Sequence, residues 1–337
     1  MLNSRSFKLI FIIFIFVLLF YNIGKAQKED EIFVALVYDV GGRGDKSFND
    51  LAYEGLIRAE KELKIKSQVA TPTEGSDREV FLRRFATGKA KIILGIGFLF
   101  SDDITRLAKE FPDKYFACID YTVKPGEKFP TNLLGIKFRE QEACYLVGAI
   151  AGLMTKTEKV GFVGGAKGPL IKKFEIGYTA GVKDVNSKCE VGVTYAGVSG
   201  EAFANPVKGK ELATSLYNSG ADIVFHASGS TGLGVFKAAE ELNKMAIGVD
   251  ADQSKEARQG IIITSALKKV DVAVYNAIKD AVQGKFKGGI KEFGLKEGGV
   301  DYVYNDSNNK IISQEIIKKV EELKNKIIKG EIIVRFK

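Results

Sequence analysis

Ile32-Phe33-Val34-Ala35-Leu36-Val37-Tyr38-Asp39-Val40-Gly41-Gly42-Arg43-Gly44-Asp45-Lys46-Ser47-Phe48-Asn49-Asp50 runs from apolar to polar and glycine-containing, then enters a segment of helical period. A short unbroken apolar run bounded by a turn signal reads as a strand buried on both faces, and the change of period near Ser47 reads as the start of a helix. Outward from this stretch the same alternation recurs along the chain. Further candidate strands in the first half are 67–70, 91–96, 115–119 and 133–138, and in the second half 160–164, 190–196, 222–227, 245–249 and 261–265. Helical segments between them include 47–63, 77–87, 140–154, 172–186, 209–219, 232–242 and 270–284. Strands alternating with helices of this length predict α/β units with parallel sheets. Because each half repeats the pattern, two Rossmann-like lobes are expected.

The N-terminal segment is read separately. Arg5 and Lys8 precede an apolar run from Leu9 to Tyr21, and Gly24 and Ala26 stand where small residues precede a cleavage site. This is the pattern of a secretory signal peptide over residues 1–26, too short for a membrane-spanning helix of about 20 apolar residues. An uncleaved N-terminal anchor is the competing reading. The remainder is long enough for two domains. It keeps 47 basic against 42 acidic residues, a net of +5 spread along the sequence, which is no nucleic-acid footprint. Lys318, Lys319, Lys324, Lys326 and Lys329 alternate with apolar residues at helical spacing and read as one solvated helix face.

Three cysteines make no disulfide framework. Cys118 and Cys144 lie in apolar runs and are expected to be buried, whereas Cys189, between Lys188 and Glu190, is expected to be more exposed. The single histidine, His226, has no Gly-x-Ser-x-Gly elbow or Cys-x-x-Cys pair to work with. No catalytic residue, metal site or cofactor is assigned, and His226 is expected to line a pocket or to be satisfied in the core.

Sheets of this kind bind ligands beyond the carboxyl ends of their strands. Asp39, Asp120, Ser228-Gly229-Ser230 and Asp250 each follow a candidate strand. One such carboxylate is an ordinary helix cap; three on matching edges of facing lobes predict a cleft, with Asp39 and Asp120 on one wall and Asp250 on the other. In the opening loop Asp45 to Ser47 supply caps for the following helix. Phe48 is either a ring offered to a flat ligand or a staple against the first sheet. Phe203, in the loop Gly197-Val198-Ser199-Gly200-Glu201-Ala202-Phe203-Ala204-Asn205-Pro206, is a second ring in a polar setting. Two such rings can sandwich a planar base, carboxylates can accept from its N–H groups or from ribose hydroxyls, and Lys268 or Lys269 can donate to a sugar oxygen. Arg43-Gly44-Asp45 spells a tripeptide associated with cell adhesion, which chance also supplies.

Asp45-Lys46-Ser47-Phe48-Asn49, Gly95-Ile96-Gly97-Phe98, Lys159-Val160-Gly161-Phe162-Val163-Gly164-Gly165, Gly248-Val249-Asp250-Ala251-Asp252-Gln253 and Ser265-Ala266-Leu267-Lys268-Lys269-Val270-Asp271 together resemble the basic membrane protein family, whose best-understood members look like purine-nucleoside receptors of ABC importers. The resemblance implies a type I periplasmic-binding-protein fold with a ligand cleft and three hinge crossings, near Phe138, Ala266 and Gly294. Lobe 1 would then comprise residues 27–138 plus 266–293, and lobe 2 residues 139–265 plus 294–337. It further implies that a base lies between Phe48 and Phe203, with Ser47 and Asn49 in the same motif and Asp39 and Asp120 on the base side. The ribose would meet Gly229 or Gly232, Asp250, and Lys268 or Lys269. The expected partners are a purine nucleoside and the permease and ATPase subunits of an importer, with no nucleic acid and no cofactor, and a monomer is expected. Members of the family usually carry a lipid-modified cysteine at the cleavage site, and no cysteine precedes Cys118 here. An exported protein without that anchor, periplasmic or on the outer face of the cytoplasmic membrane, is therefore expected. The rival readings are the same fold binding a sugar, a nucleoside-processing enzyme, and a surface antigen.

Overall fold

The structure, a computed structural model, describes residues 32–73, 77–126 and 128–335; the signal segment lies outside them. The first sheet holds β1 (Phe33–Val37), β2 (Lys66–Ala70), β3 (Ala90–Ile96), β4 (Tyr115–Ile119), β5 (Leu133–Phe138) and β11 (Gly289–Phe293). The second holds β6 (Lys159–Ala166), β7 (Glu190–Gly197), β8 (Ile223–Ala227), β9 (Met245–Asp250), β10 (Ile262–Lys268) and β12 (Val300–Tyr302). Strand order is β11-β5-β4-β3-β1-β2 in one and β12-β10-β9-β8-β6-β7 in the other, so the two sheets are the same doubly wound design used twice. Every strand pairing is parallel except β10 with β12.

The central strands are buried almost throughout, as parallel strands covered on both faces must be. The helices that cover them are α1 (Phe48–Leu63), α2 (Asp77–Thr87), α3 (Ser101–Glu110), α4 (Glu140–Met154), α5 (Pro169–Val185), α6 (Pro206–Asn218), α7 (Thr231–Glu241), α8 (Val270–Val282) and α9 (Gln314–Ile328). Each sheet has its own apolar core: Phe100, Ile104, Leu107 and Phe116 belong to the first, and Val224, Val235, Phe236 and Ile262 to the second. The chain leaves the first sheet after β5, returns to it after β10, and leaves again between β11 and β12.

Three expectations are corrected. The last long strand runs to Lys268, not to residue 265, because it pairs with β9 as far as Leu267↔Asp250 and with β12 through Lys268↔Val300. Cys189 is fully buried, since the turn after α5, closed by Cys189 N donating to Asn186 O, folds it inward. Lys324 also departs from the solvated face expected of α9, donating to both carboxylate oxygens of Asp301.

Candidate functional site

The carboxyl ends of both sheets open on one shared cavity, where the fold family places small-molecule sites. The loop after β1 contributes Asp39 and the first turn of α1 contributes Phe48 and Asn49; Gly97 and Phe98 follow β3, and Asp120 follows β4. Ser228 and Gly229 follow β8, Asp250 ends β9 and Lys268 ends β10, while Phe203 and α5 residues Ile171 and Phe174 close the second side.

Local sequence explains how the opening loop is held. Asp45 caps α1 by accepting from the backbone N–H groups of Ser47 (3.0 Å), Asn49 (2.9 Å) and Asp50 (3.1 Å). Its carboxylate is thereby committed and buried, and Arg43 lies over the Tyr53 ring at 3.6 Å, so Arg43-Gly44-Asp45 is not a freely presented tripeptide. Asn49 Oδ1 accepts from Asp39 N at 3.0 Å, and Asp39 Oδ1 accepts from Val40 N at 2.8 Å.

Of the ten residues predicted for the site, eight line the cavity: Asp39, Phe48, Asn49, Asp120, Phe203, Gly229, Asp250 and Lys268. Ser47 lies beside it, donating through Oγ to Asp250 Oδ2 at 2.6 Å and so joining the two walls. Gly232 is not in the lining. It sits on α7 against His226, where a Cβ would come within 1.9 Å of the ring, so of the two glycines only Gly229 faces the cavity. Lys268 lines the site and Lys269 does not, a consequence of the longer β10.

Asp120 and Asp250, at the ends of equivalent strands, both have left-handed backbones with φ near +61° and +62°. Such a conformation is uncommon outside glycine, and Asp is among the residues that tolerate it. Burial pushes the Asp39 carboxyl up to about 7, against the opposing hydrogen bond from Val40. Burial likewise raises Asp250 to about 6, against the nearby Lys268 ammonium and the Ser47 hydroxyl. Asp120 is also raised by burial, with Lys268 opposing. Its Oδ2 accepts from Lys268 Nζ at 2.6 Å, while Oδ1 is buried without a protein hydrogen-bond partner among the described residues.

Sequence reasoning missed Glu140 and Lys173. Burial would lower the Lys268 ammonium, yet the carboxylates of Asp120, Glu140 and Asp250 hold it above its ordinary value. Glu140, the first residue of α4, approaches Lys268 Nζ at 3.2 Å through Oε1 and receives Lys173 Nζ at 2.7 Å on Oε2. The signal available in the sequence was a carboxylate at a helix start just after a hinge crossing, which is indistinguishable from an ordinary dipole-complementing residue. Phe98, whose ring meets Phe203 edge-on at 6.5 Å between centroids, was also missed as a lining residue.

Two doubly wound sheets sharing one polar, ring-lined cavity at their strand ends define a two-lobed solute-binding protein. The family described as PnrA-like ABC transporter substrate-binding proteins matches residues 32–336, and the chain belongs to it. A CD4+ T-cell-stimulating antigen of Listeria monocytogenes is 39% identical over 333 residues, covering 91% of this chain and 89% of its own length. The ABC transporter nucleoside-binding protein BmpA of Lactococcus lactis is 33% identical over 327 residues, with 91% and 90% covered. Among solved structures, an ABC transporter solute-binding protein from Aeropyrum pernix superposes with a TM-score of 0.81 at 34% identity, covering 90% of this chain and 92% of that one.

Proposed function

We propose that this chain is exported, captures a neutral purine nucleoside in the cavity between its lobes, and delivers it to the permease and ATPase of an ABC importer. The observation that carries the reading is the composition of the wall: aromatic rings, among them Phe48 and Phe203 from the two sides, with three buried carboxyls, Asp39, Asp120 and Asp250, and the Lys268 ammonium. Such a wall offers π-faces to a flat base and many acceptors to N–H and O–H donors, and a nucleoside supplies both. Asp120 Oδ1, which has no hydrogen-bond partner among the described residues, is an acceptor for such a donor. We assign Asp39 and Asp120 to the base and Asp250, Gly229 and Lys268 to the ribose. Ser47 is a support for Asp250. We divide the lobes after β5, after β10 and between β11 and β12, which keeps Ala266–Lys268 with the second sheet and moves that crossing from Ala266 to beyond Lys268. A relative named for nucleoside binding and others named as lipoproteins support the ligand class and the export.

Mass spectrometry of small molecules released from the purified protein on denaturation tests the ligand. A thermal-shift panel of inosine, guanosine, adenosine, ribose and galactose ranks the candidates. Stabilisation by the free sugars and not by the nucleosides refutes the nucleoside reading in favour of a sugar receptor on the same fold.

A further inference from the structure

We infer that His226 and Gln253 are positioning residues that tie the cavity wall at Ser228 to the Lys46–Ser47 backbone of the opposite lobe, so that a ligand seated against Ser228 and the docking of that loop support one another. This rests on the binding role proposed above, although neither His226 nor Gln253 lines the cavity.

Backbone groups, whose polarity is fixed, set the direction of every hydrogen bond in the tie. Val249 N can only donate, so the atom it meets at 2.8 Å, Gln253 Oε1, is the acceptor end of the amide. The other end, Nε2, therefore donates, and at 3.0 Å it faces the carbonyl oxygen of Lys46, which can only accept. His226 Nε2 lies 3.1 Å from the same Gln253 Oε1 and must carry a proton to bond it. The ring is fully buried, and burial lowers its pKa to about 4 against the Gln253 hydrogen bond, so it is neutral at physiological pH. One proton on Nε2 leaves Nδ1 as an acceptor, and Ser228 Oγ at 3.3 Å donates to it. The bonds thus run one way, from Ser228 through His226 and Gln253 to Lys46.

Two consequences follow for the cavity. The Ser228 hydroxyl, with its proton directed at His226, presents only lone pairs to a ligand and selects a donor there. The Lys46–Ser47 turn is also held twice on the second lobe, by Gln253 at Lys46 O and by Asp250 at Ser47 Oγ. Rotation of the ring is blocked on one side by α7, where Gly232 leaves no room for a Cβ, and on another by Phe236, edge-on at 4.9 Å between centroids. The ring is therefore a fixed spacer of the right length between Ser228 and Gln253.

The test uses Gln253→Leu and Gln253→Glu, with inosine as the probe. Stopped-flow dissociation and small-angle scattering of the ligand-free and inosine-saturated protein are the readouts. Gln253→Leu is expected to raise the inosine dissociation rate by about tenfold, the scale of losing the one of its three buried hydrogen bonds that crosses to Lys46, and to enlarge the ligand-free radius of gyration. Gln253→Glu at about pH 8 places a carboxylate against the Lys46 carbonyl and should behave like Gln253→Leu. At about pH 5 the protonated side chain regains a donor, and its dissociation rate should return toward that of the wild type at the same pH. A residue that merely packs would show no such rescue. Wild-type dissociation rates in Gln253→Leu, or a Gln253→Glu defect that does not change with pH, overturn the inference. If the wild type does not bind inosine, the nucleoside reading fails and the tie is still tested. Gln253→Glu should then be expanded at about pH 8 and wild-type-like at about pH 5 without ligand, and identical scattering of both proteins at both values overturns it.

Discussion

Inosine binding should tighten steeply as the pH rises through neutrality. A nucleoside offers N–H and O–H donors, for which an ionised carboxylate is the stronger acceptor, and burial holds Asp39 up to about 7 and Asp250 up to about 6; where only the ionised form binds, the pH dependence is largest. With Asp39 alone, the ionised fraction grows from about 3% at pH 5.5 to about three quarters at pH 7.5, a gain of about 25-fold in affinity by linkage. Requiring ionised Asp250 as well adds about fourfold, for a total near 100-fold. Titration calorimetry across this range, in buffers of different ionisation enthalpy, should also show protons released on binding. The ligand-free protein should slope the other way. Both folded-state pKa values lie above those of the unfolded chain, so the stability these groups contribute is fully present below about pH 4 and is lost as pH rises through about 6 and 7. Asp39→Asn, which keeps an acceptor for Val40 N and cannot ionise, should flatten both profiles by the Asp39 share. An affinity constant within twofold from about pH 5.5 to 7.5, or one that tightens toward acid, refutes the reasoning.

Three further outcomes are expected. Lys268→Met leaves Asp120 buried without its cation and should cost about 3–5 kcal/mol in urea denaturation near neutral pH; the deficit should shrink at about pH 5, where Asp120 takes up a proton instead. Gly165→Ala places a Cβ within 2.3 Å of the Phe203 ring and should weaken inosine binding by about tenfold in calorimetry, by moving a stacking face. Adding Gly165→Ala to Phe203→Ala should then cause little further loss. Inosine monophosphate should bind more than about 100-fold more weakly than inosine in the same assay, because Asp39, Asp120 and Asp250 repel its charge and Lys268 is already shared between Asp120 and Glu140.

Most of the architecture could be read from the chain because buried parallel strands are nearly continuous apolar runs: β4 and β5 fall within the predicted bounds, and α2 and α4 coincide with their predicted segments. The strands that escaped notice are those without that signature. β11 is a half-exposed edge carrying Lys291 and Glu292, and β12 is only three residues long; tertiary pairing with β5 and β10 makes them strands. The strand-end aspartates were legible because a carboxylate directly after an apolar run is conspicuous. Glu140, Lys173 and Gln253 were not, since their roles depend on partners far away in sequence, on other elements, or on an amide whose two ends face different lobes. Register decided Lys268 over Lys269, and no local pattern carries register.

The doubled design also accounts for where the single ammonium of the cavity sits. In matching sheets β5 and β10 occupy the same rank, and each ends at a crossing into a helix: Phe138-Arg139-Glu140 in one, Lys268-Lys269-Val270 in the other. At equivalent positions one copy offers a ring and the other a cation, and Lys268 Nζ lies 5.2 Å from the Phe138 ring centroid. Two lysines there would repel, and two phenylalanines would leave Asp120 without a counter-charge. The asymmetric pair brings a ring, a cation and the Glu140 carboxylate to the meeting of two crossing strands. Lys173, from α5, reaches the same point and donates both to Glu140 and to the Phe138 carbonyl at 2.8 Å. The charge that faces the cavity is therefore held by the segments that connect the two sheets, so stabilising the cation and fixing the geometry of the crossings are served by the same contacts.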